Sequence, residues 1–232
     1  MRFRSIWPRA TVLGVAAAAL AGCGSSSPSG NGLASKSPTE IVAAAKAAAA
    51  GAASAHVAGS IVQGGKPISL DMELLAGKGG KGRITLDGLG IDLIQVNGAV
   101  YINGSTAFYR RVAGPAVARL LQGKWLKAPA SSGNFSSLAS LTDLGALVDQ
   151  TLASHGKLAS AGNRTVAGQR AVGVTDVSKG GTLYVASTGR PYPLEIVKTG
   201  AGGGSIVFDR WNKSVTLEAP ADAVNINQLR GH

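Results

Sequence analysis

The residue with the most specific chemistry in this chain is Cys23, its only cysteine. Three arginines precede an apolar run over residues 10–21, and the small residue Gly22 stands directly before the thiol. A positive segment, a short apolar segment and small residues at a cleavage point are the layout of a secretory signal. The run is too short for a membrane-spanning helix, which needs about 20 apolar residues. The sequence therefore predicts a signal peptide over residues 1–22 and export of the remaining chain.

The four residues from Leu20 to Cys23 resemble the lipobox of bacterial lipoproteins. The resemblance implies cleavage before Cys23 and a diacylglyceryl group on its sulfur. It implies an exported protein that is anchored to the outer face of the cell membrane by an N-terminal lipid, so that the membrane is one partner. An ordinary signal peptide with an incidental cysteine is the alternative.

A second pattern, at residues 77–82, matches the letters G-x-G-x-x-G. A dinucleotide site needs a strand before these glycines and a helix after them, because the helix N-terminus binds the phosphates. Here the residues that follow alternate as a strand does, so we interpret the segment as a glycine-rich hairpin loop.

The titratable residues show no pairing that favours catalysis or metal binding. The histidines lie far apart and lack a second ligand at metal-binding spacing: His56, His155 and His232. The glutamates fall on different predicted elements, so no carboxylate pair can be nominated: Glu40, Glu73, Glu195 and Glu218. We predict no enzyme activity, no metal and no cofactor.

The charge of the mature chain is moderately basic. Removing the three signal arginines from 23 basic residues leaves 20 against 12 acidic ones, a net charge of +8. No run of five basic residues occurs, and no aromatic-basic module of the RNA-binding kind, so we expect no nucleic-acid partner. Attraction to anionic lipid headgroups and a merely solubilising surface both fit this charge.

The elements that must carry any site begin after a polar stretch. Residues 24–36 are rich in Ser, Gly and Pro, and we interpret residues 23–36 as a lipidated cysteine with a flexible tether of about 20 Å reach. Residues 37–232 form a single predicted domain. Ser37 and Glu40 have the spacing of a capping box, with Pro38 at the first helical position, so a helix is expected over residues 41–53, ending near Gly51.

A β-meander is predicted next. Leu70, Met72 and Leu74 alternate with polar residues, and the alternation resumes at Ile84 and Leu86. We expect a bulge at Gly88 or Gly90, where the phase shifts, and a two-residue hairpin at residues 97–98.

Residues 112–160 differ, because helical spacing replaces alternation. A short helix is expected over residues 115–121 and a second one through Leu141, Leu144, Leu147, Val148 and Leu152, capped by Ser140 or Thr142. Residues 128–140 between them are predicted to be a mobile loop.

Strands return after His155. They are expected over residues 157–164, 169–176, 182–186, 194–199, 205–210 and 215–219. With the earlier strands, the sequence predicts a mainly β (α+β) fold of about ten or eleven strands. A sheet of that size curls, and helices inserted in the chain bury their apolar faces on its concave side. We therefore expect a curved antiparallel half-barrel with helices over the concave face.

Residues 38–224 also resemble the LolA-like lipoproteins of the LppX/LprG type (LppX-LprAFG). The resemblance is carried by the lipobox, the tether, the capped helix and, in order, by residues 96–102, 123–127, 182–194, 207–211 and 217–220. It implies the same half-barrel and the task of holding acyl chains of lipids, glycolipids or lipoproteins for transport or presentation. It implies no catalytic residues.

Apolar side chains on the concave face are the candidate lining of a ligand cavity, because sites for apolar ligands are concave and lined by such residues. The candidates are Leu70, Met72, Leu74, Ile84, Leu86, Leu144, Leu147, Val148 and Leu152. The tether would hold such a cavity within reach of the bilayer. The same residues would also fit a solid core, in which case the protein would be a non-transporting envelope scaffold or sensor that binds a protein partner. A hydrolase is a distant third interpretation.

Overall fold

The computed structural model describes residues 30–133, 135–153, 155–200 and 202–229. Its strands are β1 (Ser54–Gln63), β2 (Lys66–Leu75), β3 (Gly79–Leu86), β4 (Leu89–Val96), β5 (Ala99–Gly104), β6 (Leu126–Pro129), β7 (Leu158–Val166), β8 (Gln169–Asp176), β9 (Thr182–Ala186), β10 (Pro193–Lys198), β11 (Gly204–Asp209) and β12 (Val224–Asn225). Among the described residues these twelve strands form one open sheet, in the order β12-β6-β5-β4-β3-β2-β1-β11-β10-β9-β8-β7. Neighbouring strands are antiparallel except for the pair β12–β6. The expected mainly β fold is confirmed.

The helices lie on the inward face or at the edge of this sheet. They are α1 (Pro38–Ala50), α2 (Thr106–Leu121), α3 (Phe135–Ser140), α4 (Leu144–Ala153) and α5 (Ile226–Leu229). Buried residues of α1 and α4 share one apolar core with the inward side chains of the strands, among them Val57, Leu93 and Val185. Within the described ranges, no helix has the length and hydropathy needed to cross a membrane.

Two-residue turns build the meander from β3 to β5. Asn97 and Gly98 have positive φ values of 53° and 72°, which is the type I′ geometry expected for this pair. The bulge expected at Gly88 or Gly90 is wrong, because Asp87 and Gly88 form a second turn of the same kind, with φ values of 52° and 78°. A hairpin reverses the chain, and the apparent phase shift is simply its turn.

The glycine-rich segment is mostly strand, where we expected a loop. Only residues 76–78 turn, and the later glycines lie in β3, at positions where neighbouring atoms leave no room for a side chain. A Cβ on Gly82 would stand 2.8 Å from Met72 Sδ and 2.0 Å from the Asp71 carbonyl oxygen. These glycines therefore serve close packing between strands.

Helix α1 begins with the predicted capping box. Ser37 Oγ accepts from the Glu40 backbone N–H, Glu40 accepts from the Ser37 N–H, and Gly51 ends the helix.

The block before β7 differs from expectation in three places. Helix α2 begins at Thr106, well before the expected residue 115, and breaks at Gly114, where φ is 85°. Residues 128–140, expected to be a mobile loop, contain the end of β6 and helix α3. Helix α4 is capped by Asp143, whose Oδ1 accepts from the Ala146 N–H at 2.7 Å; Ser140 and Thr142 do not cap it, and Leu141 precedes the helix.

The C-terminal strands follow the predicted ones with one exception. Residues 215–219 are not a strand, although their alternation suggested one. Instead, the chain adds the short strand β12 beside β6, with Val224 paired to Leu126.

The N-terminal described segment is docked on the sheet. Gly30 forms a bridge with Thr188, and the Asn31 N–H donates to the Ser187 carbonyl at 2.9 Å. The Asn31 side-chain amide donates to two further carbonyls, and Leu33 is buried in the core. Residues 30–36 therefore differ from the flexible tether expected for them, while residues 23–29 lie outside the described part.

Candidate functional site

An apolar cavity of about 520 Å³ lies between the inward face of the sheet and helix α4. Its walls come from five strands that are neighbours in the sheet, β10, β11, β1, β2 and β3. The lining consists almost wholly of aliphatic side chains, with one aromatic ring: Val57, Ile61, Val62, Ile68, Leu70, Met72, Ile84, Leu86, Leu141, Leu147, Ile196, Ile206 and Phe208. A volume of this size is ordinary for a small-molecule site.

Strand alternation directs the lining side chains of the strands inward, with the exception of Val62, which follows Ile61 at the end of β1. Val57 and Ile61 on β1, and Ile206 and Phe208 on β11, occupy positions of the same parity on their strands. Because successive side chains of a strand point to opposite faces, residues two apart share the concave side. The cavity is therefore a property of the sheet's register.

Helix α4 covers the cavity with Leu147 and Thr151. Lys46 of α1 pairs with Asp149 of α4 at 3.2 Å, which joins the two inward helices at the surface. The turn before α4 is held by Thr142, a fully buried residue whose hydroxyl hydrogen-bonds Gln95 and the Ala139 carbonyl oxygen. The cover over the cavity is thus fixed to β4 at one end and to α1 along its length.

One end of the cavity opens where the strands end. Five lining residues pair with one another in succession across the five strands, in the order Lys198, Gly204, Ile61, Ile68 and Leu86. Lys198 is the charged member of the lining. The cavity therefore has an apolar interior with a cation at its mouth.

The structure divides the nine predicted lining residues into two groups. Leu70, Met72, Ile84, Leu86 and Leu147 border the cavity. Leu74, Leu144, Val148 and Leu152 are instead packed in the core, and Leu152 also borders a smaller cavity of about 280 Å³ beside α1. Alternation identifies the face of a strand but not the distance along it, so core and cavity positions look alike in sequence.

Sequence reasoning missed the half of the cavity formed by β1, β10 and β11. Ile206 and Phe208 are separated by the apolar Val207, so alternation alone does not show which face of β11 is buried. Their partnership with β1 could not be found, since it joins residues such as His56 and Asp209, which are 153 positions apart.

The outer face of the sheet is polar and internally paired. His56 Nδ1 lies 2.6 Å from Asp209 Oδ1, and its Nε2 lies 3.0 Å from Asp71 Oδ1. Arg164 pairs with Glu195 and stacks over the Tyr184 ring, with 3.7 Å between guanidinium carbon and ring centroid. The His56 contacts join β1 to its neighbours β11 and β2, whereas Arg164 reaches from β7 across the sheet to β9 and β10.

The described ranges contain no metal site of three side-chain ligands and no buried polar side-chain atom that lacks a hydrogen-bond partner. No cluster of three His, Cys, Asp or Glu side chains able to hold a metal ion occurs there. No buried side-chain nitrogen or oxygen in the same ranges lacks a hydrogen-bond partner. The lining of the main cavity offers burial of apolar groups.

The loops beside the smaller cavity are organised by Asp176. Backbone N–H groups of Gly156, Lys179 and Ser178 donate to its carboxylate at 2.8 to 2.9 Å. These bonds, the one from Gly156 foremost, lower the pKa of Asp176 below its ordinary value. The carboxylate therefore remains ionised and holds the two loops together.

Comparison with known proteins gives a likeness of fold. No family model matches the chain, and no curated protein matches it in sequence. The structure of LprF from Mycobacterium bovis matches with a TM-score of 0.55 and 15% identity, over 79% of this chain and 97% of that one. The Mycobacterium tuberculosis lipoprotein LppX matches with a TM-score of 0.53 and 18% identity, over 78% of this chain and all of that one (100%). The likeness confirms the LolA-like fold that the sequence resemblance implied.

Proposed function

We propose that this chain is an envelope lipoprotein that binds acyl chains of a lipid, glycolipid or lipoprotein in the cavity beneath α4, for transport or presentation. The observation that carries the proposal is the apolar cavity of about 520 Å³, walled by five adjacent strands. The fold shared with LprF and the lipoprotein LppX supports it.

Affinity would come from removing methylene groups from water. Each buried methylene contributes about 0.8 kcal/mol, so ten of them would contribute about 8 kcal/mol before the costs of association. The cation Lys198 at the mouth would face the headgroup, while the aliphatic interior would hold the chain. The site thus selects for amphipathic molecules with a long apolar part.

The proposed anchor is a lipid on Cys23, which lies outside the described residues. Its support is the sequence resemblance to the lipobox and the net charge of the chain beyond the signal, which would add attraction to anionic headgroups.

Blocking the cavity tests the proposal. Leu147→Trp and Ile206→Trp each place a large ring in the cavity, whereas Leu120→Trp adds the same ring at an exposed position of α2, away from it. We expect both cavity variants to weaken lipid binding at least about tenfold, since a filled cavity loses the burial of several methylenes. The control should bind as the parent protein does.

Binding is measured by native mass spectrometry of the unlipidated chain purified from its own host, and by titration with a fluorescent fatty acyl lipid. Thermal unfolding of each variant shows that the fold persists. A parent protein that carries no lipid, or cavity variants that bind as well as the control, would contradict the proposal and favour the scaffold or sensor alternative.

A further inference from the structure

The cavity mouth is bordered by exposed aliphatic side chains together with cations. Ile61, Val62 and Leu86 are exposed by 37%, 37% and 36%, although all three line the cavity. Lys66 and Arg111 both approach Asp87 in the adjoining turn, at 3.6 and 3.5 Å, and Lys198 lies on β10, where it pairs with Gly204 of β11. We name Ile61, Val62, Leu86, Lys66, Arg111 and Lys198 the mouth rim.

Such a combination fits a lipid surface. Aliphatic side chains gain free energy when they enter the boundary between headgroups and acyl chains, and nearby cations are attracted by anionic headgroups. The rim is also continuous with the apolar interior of the cavity, so a docked rim would give an acyl chain a path that avoids water.

The chain reaches the domain at the opposite end of the strands. Strand β9 runs away from the mouth, since Thr182 pairs with Val197 beside Lys198, and Thr188 lies six residues further along. Gly30 is bridged to Thr188, and the Asn31 amide holds the same loop at the Ala186 and Gly189 carbonyls. The point at which the N-terminal segment leaves the fold is therefore remote from the mouth.

The contour length of the chain limits where the mouth can lie. From Thr182 to Thr188 the rise is about 20 Å, and the tip of the β1–β2 hairpin lies three residues beyond Ile61, or about 10 Å further. Seven residue steps separate Cys23 from Gly30, which even fully extended span at most about 25 Å. To bring the mouth, about 20 to 30 Å from Gly30, onto the bilayer that holds Cys23, this segment would have to run back along the strands almost fully extended. A mouth that faces away from that bilayer requires no such extension, so the short segment favours that orientation.

We propose that the mouth rim is a docking surface for an anionic lipid bilayer other than the one that holds Cys23. The inference rests on the proposed lipid cavity and on Cys23 as the anchor. It reverses the expectation from a flexible tether, since a docked N-terminal segment directs the mouth away from the anchoring membrane. The partner surface is recognised by negative charge together with an accessible apolar interior.

The unique thiol makes the orientation measurable. The unlipidated chain from Cys23 onward is coupled through that thiol to a maleimide headgroup lipid in phosphatidylcholine vesicles. A membrane-impermeant amine reagent then labels exposed lysines, which are quantified by mass spectrometry. Lys66 and Lys198 report the mouth rim, and Lys213 reports the opposite end, where its backbone carbonyl accepts from Ser54 Oγ.

Coupling should reduce labelling of Lys213 and leave Lys66 and Lys198 at the level of the free protein. Adding a second population of vesicles that contain phosphatidylglycerol and no maleimide should then protect Lys66 and Lys198. Protection of these two lysines by coupling alone would overturn the proposal. So would the absence of protection by the second vesicles.

A matched pair of variants tests the rim itself. Val62→Asp places a negative charge in the rim, whereas Leu120→Asp makes the same change at an exposed site on α2 outside it. Val62→Asp should weaken vesicle binding at least about fivefold, and the control should not, because only the first charge would meet the anionic surface. Lys198→Gln, which leaves the aliphatic residues intact, should weaken it in the same direction; parent-like binding by both rim variants would overturn the proposal.

Native mass spectrometry of the same samples separates this inference from the proposed function. An empty cavity with the expected labelling would refute lipid binding and leave the docking surface intact. A loaded cavity whose mouth lysines are protected by coupling alone would refute the docking orientation and leave lipid binding intact.

Discussion

Ser37 and Glu40 show how two residues determine where the folded domain begins its first long helix. The Glu40 carboxylate accepts from the Ser37 hydroxyl at 2.7 Å and from the Ser37 backbone N–H at 2.9 Å. These bonds, followed by the nearby Lys36 ammonium, lower the pKa of Glu40 from 4.5 to about 2. The capping box is a local motif, and the sequence predicted it correctly for that reason.

The lowered pKa makes the contribution of this cap depend on pH. A carboxyl whose pKa falls on folding stabilises the native state above its unfolded pKa and loses that effect as the pH falls through the folded value. Glu40→Gln should therefore reduce stability at neutral pH, and the difference from the parent should shrink as pH falls from about 4.5 to about 2. Urea unfolding followed by circular dichroism across this range measures it.

Lys36→Gln is the control for the cap, since the Lys36–Glu40 pair is exposed on both sides and such pairs contribute little. A Glu40→Gln difference that stays constant with pH would contradict the assignment of the effect to the ionised carboxylate.

At the scale of elements, α2 is joined to the sheet by one buried hydroxyl. Tyr109 is 2% exposed, its oxygen accepts from the Gly104 N–H at 3.0 Å, and its hydroxyl donates to the Ile102 carbonyl at 3.4 Å. Burial raises the pKa of Tyr109, so the hydroxyl stays protonated and keeps both bonds. The end of β5 and the first turns of α2 are fixed to each other by this contact.

Removing that hydroxyl should leave the buried Gly104 N–H without its partner, whereas the Ile102 carbonyl still lies in the ladder between β5 and β6. We expect Tyr109→Phe to lower the free energy of unfolding by about 1–3 kcal/mol, the usual cost of such an orphaned group. Chemical denaturation at neutral pH measures the change.

Tyr101→Phe is the matched control on the same strand. Its ring lies under Lys127, and its hydroxyl makes no hydrogen bond within the described part of the chain. Equal destabilisation by the two variants would show that loss of packing, and not the hydrogen bonds of Tyr109, is being measured.

At the scale of the whole molecule, the sheet carries a cavity at one end of its strands and receives the N-terminal chain at the other. Gly30 bridges Thr188 at the end of β9, while Ile61 and Leu86 border the cavity where β1 ends and β3 turns. The two ends therefore separate the proposed anchor from the proposed ligand entrance, and this separation is the basis of the inferred docking orientation.

The proposed anchor can be tested on the whole protein. Cys23→Ala should move the protein from the membrane fraction to the soluble exported fraction, because acylation contributes about 0.8 kcal/mol per buried methylene to membrane binding. Fractionation of the native host, with mass analysis of the N-terminal peptide, measures the change. Ser25→Ala, two residues away, should remain in the membrane fraction; a Cys23→Ala protein that remains there as well would contradict the lipid anchor.

The sequence by itself determined the features that depend on neighbours along the chain. The alternation in β2, the type I′ turn at Asn97 and the capping box at Ser37 each need only a few adjacent residues. The same local rule failed where distant packing decides. Gly82 looked like part of a loop, but it pairs with Met72 in a strand and is glycine because Met72 and Asp71 occupy the space of a side chain.

Only the tertiary structure decided which apolar residues line a cavity. Leu70 and Leu74 share one face of β2, yet Leu70 borders the cavity and Leu74 is buried in the core beyond it. The distinction depends on the point along β2 at which α4 crosses and on the pairing of β1 with β11. Both are contacts between residues that are remote in sequence. The alternation of apolar and polar residues shows which face of a strand is buried. How deep a residue lies in the core, where the cavity opens and where residues 30–36 dock on the sheet are decided by packing between residues remote in sequence.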